Sequence, residues 1–171
     1  MLRRFRTVTT ALAAAVVLAA CSGGGDPEAG PLVPDRELTT FDDDTTTLRD
    51  FVGEPLVVNF WASWCAPCIA EMPDFEEVHL EVADEVRFIG VNTQDERENA
   101  LQLVERTGVT YDLVRDPLGD LFRDLEVFAM PTTFFVDADG AVVHRHSGLA
   151  TRDQLRDLID EHLLDPELAT S

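Results

Sequence analysis

A chain of 171 residues has the length of one domain, and its composition, 45% hydrophobic and 27% charged, is that of a globular protein. It carries 33 acidic side chains against 13 arginines and no lysine, a formal net charge of −20. Three of those arginines fall within the first six residues, so the remainder is more acidic still. That excludes binding of nucleic acid or an anionic membrane through a basic surface, and a solvated acidic exterior is the plain reading.

Residues 1–20 read as a targeting segment. Arg3, Arg4 and Arg6 precede an unbroken apolar run over 11–20, too short for a bilayer span of about 20 residues but suited to a signal-peptide core. Arg3-Arg4 is a poor twin-arginine match. The run ends Leu18-Ala19-Ala20-Cys21, which resembles a bacterial lipobox. The resemblance implies that Cys21 becomes a diacylglyceryl-bearing N-terminus, anchored stably by more than one acyl chain. An ordinary cleavage site beside an incidental cysteine is the alternative. Residues 21–33, rich in Gly and Pro without apolar periodicity, are expected to be a flexible tether. A folded domain is expected over 34–165, with a short tail over 166–171.

The domain opens with two short segments, Glu37–Phe41 and Thr45–Phe51, separated by three aspartates and expected to pair as a β-hairpin. Asp42-Asp43-Asp44 reads as a solvated turn rather than a cation site. Leu56-Val57-Val58-Asn59-Phe60-Trp61-Ala62 has the length and β-branching of a buried strand. Trp64-Cys65-Ala66-Pro67-Cys68 follows, and then Ile69, Met72, Phe75, Val78 and Val82 recur at helical spacing. Two cysteines three apart at a helix start lie close enough for a disulfide. The first sits where unpaired N–H groups and the helix dipole stabilise a thiolate, lowering an ordinary pKa of about 8.5 to roughly 3.5–7.5. Pro67 suits the first turn, where its missing N–H costs nothing. Pro73 should kink the helix.

Val86–Val91 is branched and alternating enough for a strand. Glu96–Thr107 reads as an amphipathic helix with Ala100, Leu101 and Val104 inward, ended by Gly108. Tyr111–Val114 is a short strand. Asp116-Pro117 gives an N-cap and a proline at the first helical position, opening a helix to about Leu125. Met130-Pro131 precedes a strand over Thr132–Val136. Asp137-Ala138-Asp139-Gly140 turns the chain into a strand over Ala141–Ser147, with too few ligands in series for a calcium loop. Thr151-x-x-Gln154 is a capping box, and Leu155, Leu158, Ile159 and Leu163 mark the buried face of the last helix.

The run Asn59-Phe60-Trp61-Ala62-Ser63-Trp64-Cys65-Ala66-Pro67-Cys68, with Glu71-Met72-Pro73 after it, resembles the thioredoxin superfamily, and within it the extracytoplasmic TlpA/ResA-like thiol–disulfide oxidoreductases. The resemblance runs from about Pro34 to Leu164. It implies an α/β thioredoxin-like fold: a central mixed β-sheet flanked by helices, with an N-terminal β-hairpin and a central βα insertion. It also implies that Cys65 and Cys68 form the catalytic pair and that Trp64, Pro67, Met130 and Pro131 meet the substrate. Pro131 would be cis, with the Met130 backbone pairing to bound polypeptide; trans is the alternative.

Asn59 stands where many thioredoxins bury an aspartate, and a neutral amide cannot be that proton acceptor. Glu71, three residues after Cys68, is a helical neighbour. If partly buried it would raise the resolving thiol's pKa and relay its proton; if exposed it is only a first-turn acid favoured by the dipole. His79, His144, His146 and His162 show no convincing catalytic spacing.

Other uses of the pair are weaker. Zinc would need two more ligands, available from His144 and His146 on one strand face, and haem attachment would need histidine where Ile69 stands. A structural disulfide requires neither Trp64 nor Pro67. A peroxidase is disfavoured by Ser63 and Trp64. The expectation is therefore a membrane-anchored lipoprotein outside the cytoplasm that exchanges thiols and disulfides with proteins, without a cofactor or metal. Its partners would be protein substrates, apocytochrome c among them as the reductase members imply, and a membrane electron donor or acceptor. Oxidation of secreted proteins, and a non-enzymatic metal-binding lipoprotein, stay as alternatives.

Overall fold

The computed structural model describes residues 30–164, so Cys21, most of the tether and the C-terminal tail lie outside the described residues. Seven strands form one mixed sheet: β1 Leu38–Thr40, β2 Thr45–Thr46, β3 Leu56–Trp61, β4 Arg87–Thr93, β5 Asp112–Asp116, β6 Thr132–Val136 and β7 Val142–Ser147. Their order is β2-β1-β5-β4-β3-β6-β7. The β3–β4 and β4–β5 pairs are parallel, while β1–β2, β1–β5, β3–β6 and β6–β7 are antiparallel. Four helices join them: α1 Ala66–Val82, α2 Arg97–Thr107, α3 Asp120–Asp124 and α4 Arg152–Ile159.

The central strand β3 is buried along its whole length, which is why it reads as a continuous apolar run instead of an alternating one. Its two-residue period sends Val57 and Trp61 to one face, against Phe75 of α1, Leu103 of α2 and Leu155 of α4. Val58 and Phe60 go to the other, with Ile89, Val114, Phe134 and Leu121 of α3. Each such large apolar side chain, taken fully out of water, contributes about 1.5–3 kcal/mol. Gly90 on β4 is needed for space: a Cβ there would lie 2.9 Å from Trp61 Nε1 and 2.7 Å from Leu113 Cδ2.

Several expectations shift in the structure. The second hairpin arm is only Thr45–Thr46; Leu48–Phe51 is instead a 3-10 turn, because Asp50 accepts hydrogen bonds from the Thr47 N–H at 2.7 Å and the Thr46 hydroxyl at 3.1 Å. Pro31–Val33, assigned by composition to the tether, bond to the Gly140–Val142 edge. On α2 the buried residues are Ala100 and Leu103, while Leu101 is exposed. Asp116 ends β5 and does not begin a helix; α3 starts at Asp120, after Gly119 at φ 70°. Asp116 still caps α3 from a distance, accepting from the N–H groups of Asp120 at 2.8 Å and Phe122 at 2.9 Å.

Candidate active site

The β3 strand ends in the core at Trp61, and Ala62 through Trp64 turn the chain into α1. Cys65 is the N-cap, in extended conformation, and Pro67 falls in the first turn. Because the cap residue's side chain faces the free N–H groups of the first turn, Cys65 Sγ accepts from the Cys68 N–H at 3.3 Å. The two sulfurs are joined as a disulfide with the Cα atoms 5.3 Å apart. Cys65 is 5% exposed and Cys68 fully enclosed, so Cys65 is the outer sulfur. A thiolate on Cys65 would inherit both that N–H and the positive end of a 17-residue helix.

Over the pair lies an open apolar groove lined by Trp64, Cys65, Ala66, Pro67, Phe122, Phe128, Ala129 and Met130. Trp64 is 61% exposed and Phe128 86%. The Met130–Pro131 peptide bond is cis, and the loop is pinned by Gly148 N–H donating to the Pro131 carbonyl at 2.9 Å and Thr132 Oγ1 to the Ala129 carbonyl at 2.8 Å. The structure thus gathers Trp64, Pro67 and Met130 around Cys65 from two distant parts of the chain. Phe128 escaped the sequence reading; its one signal was a lone aromatic two residues before Met130.

Beneath the pair, Glu71 is 1% exposed, which removes it from the surface. Its Oε1 accepts from Asn59 Nδ2 at 2.9 Å and its Oε2 from the Ala150 N–H at 3.1 Å. Asn59 Nδ2 also donates to Thr133 Oγ1 at 3.1 Å. Burial pushes the Glu71 carboxyl up to about 7, against the pull of those two donors toward the ionised form. A group that titrates near neutrality, one helical turn below Cys68, can take a proton and return it.

Among the described residues no histidine is hydrogen-bonded to Cys65, Cys68 or Glu71. His144 stacks on His162 with ring centroids 4.0 Å apart, and His146 Nε2 lies 3.4 Å from the Leu149 carbonyl. Among the described residues no three His, Cys, Asp or Glu side chains converge as a metal-ligand group.

Comparison with known proteins agrees with this geometry. The chain is 41% identical over 121 residues to the thiol:disulfide interchange protein DsbE of Xylella fastidiosa, covering 70% of this chain and 58% of that one. It thus spans little more than half of that relative. It is 33% identical over 134 residues to the thioredoxin-like protein YneN of Bacillus subtilis, covering 77% and 78%. Among solved structures, a DsbE-type thiol:disulfide interchange protein of Chlorobium tepidum superposes with a TM-score of 0.70 at 28% identity, covering 77% and 94%. The MTB dsbF superposes at 0.68 and 27%, covering 75% and 95%. A family model, that of the AhpC/TSA family, matches residues 29–145. With its paired cysteines in a thioredoxin fold, the chain belongs to the AhpC/TSA family, among its thioredoxin-like thiol–disulfide oxidoreductases.

Proposed function

We propose that the protein is an extracytoplasmic, lipid-anchored reductase of protein disulfides, with apocytochrome c as a substrate. The observation that carries the thiol–disulfide exchange in this reading is the position of Cys65 Sγ, at the N-cap of α1 and facing an uncharged, open groove. In the reduced protein the Cys65 thiolate attacks one sulfur of a substrate disulfide, and the other substrate sulfur leaves as a thiolate. Cys68 then loses its proton and attacks Cys65 Sγ, which re-forms the Cys65–Cys68 disulfide and releases the second substrate sulfur. The substrate gains two electrons and two protons, and a membrane electron donor restores the dithiol. Glu71 accepts the Cys68 proton, while Met130 and Pro131 align the substrate backbone and Trp64, Pro67 and Phe128 hold its apolar side chains.

Similarity to a thiol:disulfide interchange protein and to thiol–disulfide oxidoreductases supports the exchange itself, and the resemblance of the active-site motif to the reductase members of the TlpA/ResA-like group favours this direction. The same steps run backwards make an oxidase of secreted proteins. The reduction potential of the couple decides between them: a reductase belongs toward about −270 mV, and a value near about −120 mV would establish the oxidase instead. The anchor rests on Leu18-Ala19-Ala20-Cys21; no helix among the described residues is long and apolar enough to cross a membrane. Cys21→Ser should release the protein from the membrane or leave it unprocessed. A variant that matures normally and stays membrane-bound would overturn the lipid assignment.

A further inference from the structure

The loop after β4 grips the segment just before Cys65. Asp95 Oδ2 accepts from the Ser63 N–H at 2.6 Å, and Asp95 Oδ1 accepts from Ser63 Oγ at 2.7 Å. Asn92 Nδ2 and the Glu96 N–H, each 2.9 Å away, fix the carboxylate itself. One residue earlier, the Gln94 carbonyl accepts from Trp64 Nε1 at 3.1 Å. Gln94 is held at φ 49°, an uncommon conformation for a non-glycine residue, and its N–H donates to the Asp116 carbonyl at 3.3 Å. Both residues that precede the outer cysteine are therefore tied to one loop some thirty positions away in sequence.

We propose that Asp95 is a positioning residue for the nucleophile, holding Ser63 so that Cys65 Sγ stays at the N-terminus of α1. The proposal rests on the assignment of Cys65 as the attacking sulfur. Ser63 lies inside the turn closed by the Cys65 N–H on the Ala62 carbonyl at 3.1 Å. A two-point, charge-assisted grip on Ser63 fixes the direction in which the chain enters the helix. Helix capping does not account for Asp95: only the Glu96 N–H among its donors belongs to the start of α2, and the others lie on β4 and in the Cys65 turn. Plain electrostatics does not account for it either, since an anion beside a thiol raises the thiol's pKa and works against attack. The cavity on this side of Trp64 is also lined by Glu96, Asn99 and Arg115, and Glu71 lies below, so the carboxylate is one charge among several.

The two roles predict opposite signs. In reduced full-length protein carrying Cys68→Ala, the pH midpoint of Cys65 alkylation is read by mass spectrometry of its peptide, alone and with Asp95→Asn or Ser63→Ala. Loss of positioning takes the sulfur away from the dipole and first-turn N–H groups, so both substitutions should raise the midpoint, Asp95→Asn by about half to one unit and Ser63→Ala by less. A fall with Asp95→Asn would show a nearby charge and nothing more. An unchanged midpoint with a lower Tm would show a scaffold role only; either result overturns the proposal. If Asp95→Asn does not fold, Ser63→Ala decides, because it removes one hydrogen bond and leaves the carboxylate. A parent midpoint at the ordinary value of about 8.5 would instead refute Cys65 as an activated nucleophile, a separate failure of the functional reading.

Discussion

Glu71 is a carboxyl that the fold would rather keep protonated. Its folded pKa of about 7 lies above the ordinary 4.5, so the native state holds this proton more tightly than the unfolded chain. Below the ordinary value both states are protonated and nothing is lost. As pH rises from about 4.5 to about 7 the unfolded chain ionises first and stability falls, by about 3 kcal/mol once both are ionised. Glu71→Gln should therefore be close to neutral at pH 4.5 and stabilising by up to that amount at pH 8, measured by urea unfolding. The substitution fits if Asn59 turns its amide, so that its carbonyl meets the new NH2 and Thr133 donates in place of accepting. The same variant should lose the pH dependence near 7 of disulfide resolution by Cys68. An unchanged pH–rate profile would leave Glu71 a buried structural acid.

At the scale of elements, α3 depends on a residue outside it. Asp116 is 2% exposed and accepts from two N–H groups at the start of this five-residue helix. Asp116→Ala leaves both donors unpaired and should cost about 1–2 kcal/mol, with weaker substrate binding because Phe122 of α3 lines the groove. Full stability in urea would show that water replaces the carboxylate. This helix also marks the edge of what the sequence could say. Asp116-Pro117 carries a local capping signal, but the backbone follows β5 to Asp116 and delivers the cap from four residues upstream of the helix's first residue. The paired cysteines at a helix start, with Pro67 in its first turn, were legible in a contiguous motif, whereas the cis Met130–Pro131 bond was implied only by the family resemblance and the burial of Glu71 was left open. Asp95 and the Ala150 N–H act through contacts 32 and 79 residues apart, which no local pattern encodes. Leu101 misled because a helix of only 11 residues leaves the rotation of its apolar stripe loosely fixed until tertiary packing selects Leu103.

For the molecule as a whole, a chain of net charge −20 presents an uncharged groove. The long-range field and the local contact therefore act on different steps. Reduction of a cationic peptide disulfide should slow markedly as salt rises from 10 to 200 mM, while a neutral apolar peptide of the same length should be little affected. Equal salt dependence for the two would mean that attraction between the acidic surface and the substrate's charge does not govern encounter.

In the proposed exchange Cys65 attacks and Cys68 resolves, and covalent trapping separates the two sulfurs. Cys68→Ala and Cys65→Ala proteins are each incubated with a disulfide-bearing protein substrate, and the adducts are measured by intact mass before and after added thiol. Cys68→Ala should accumulate a mixed disulfide through Cys65 that thiol reverses. Cys65→Ala should trap little, since its remaining sulfur is fully enclosed beneath the groove. Equal trapping by the two variants would contradict Cys65 as the nucleophile, and no trapping by either would contradict thiol–disulfide exchange at this pair.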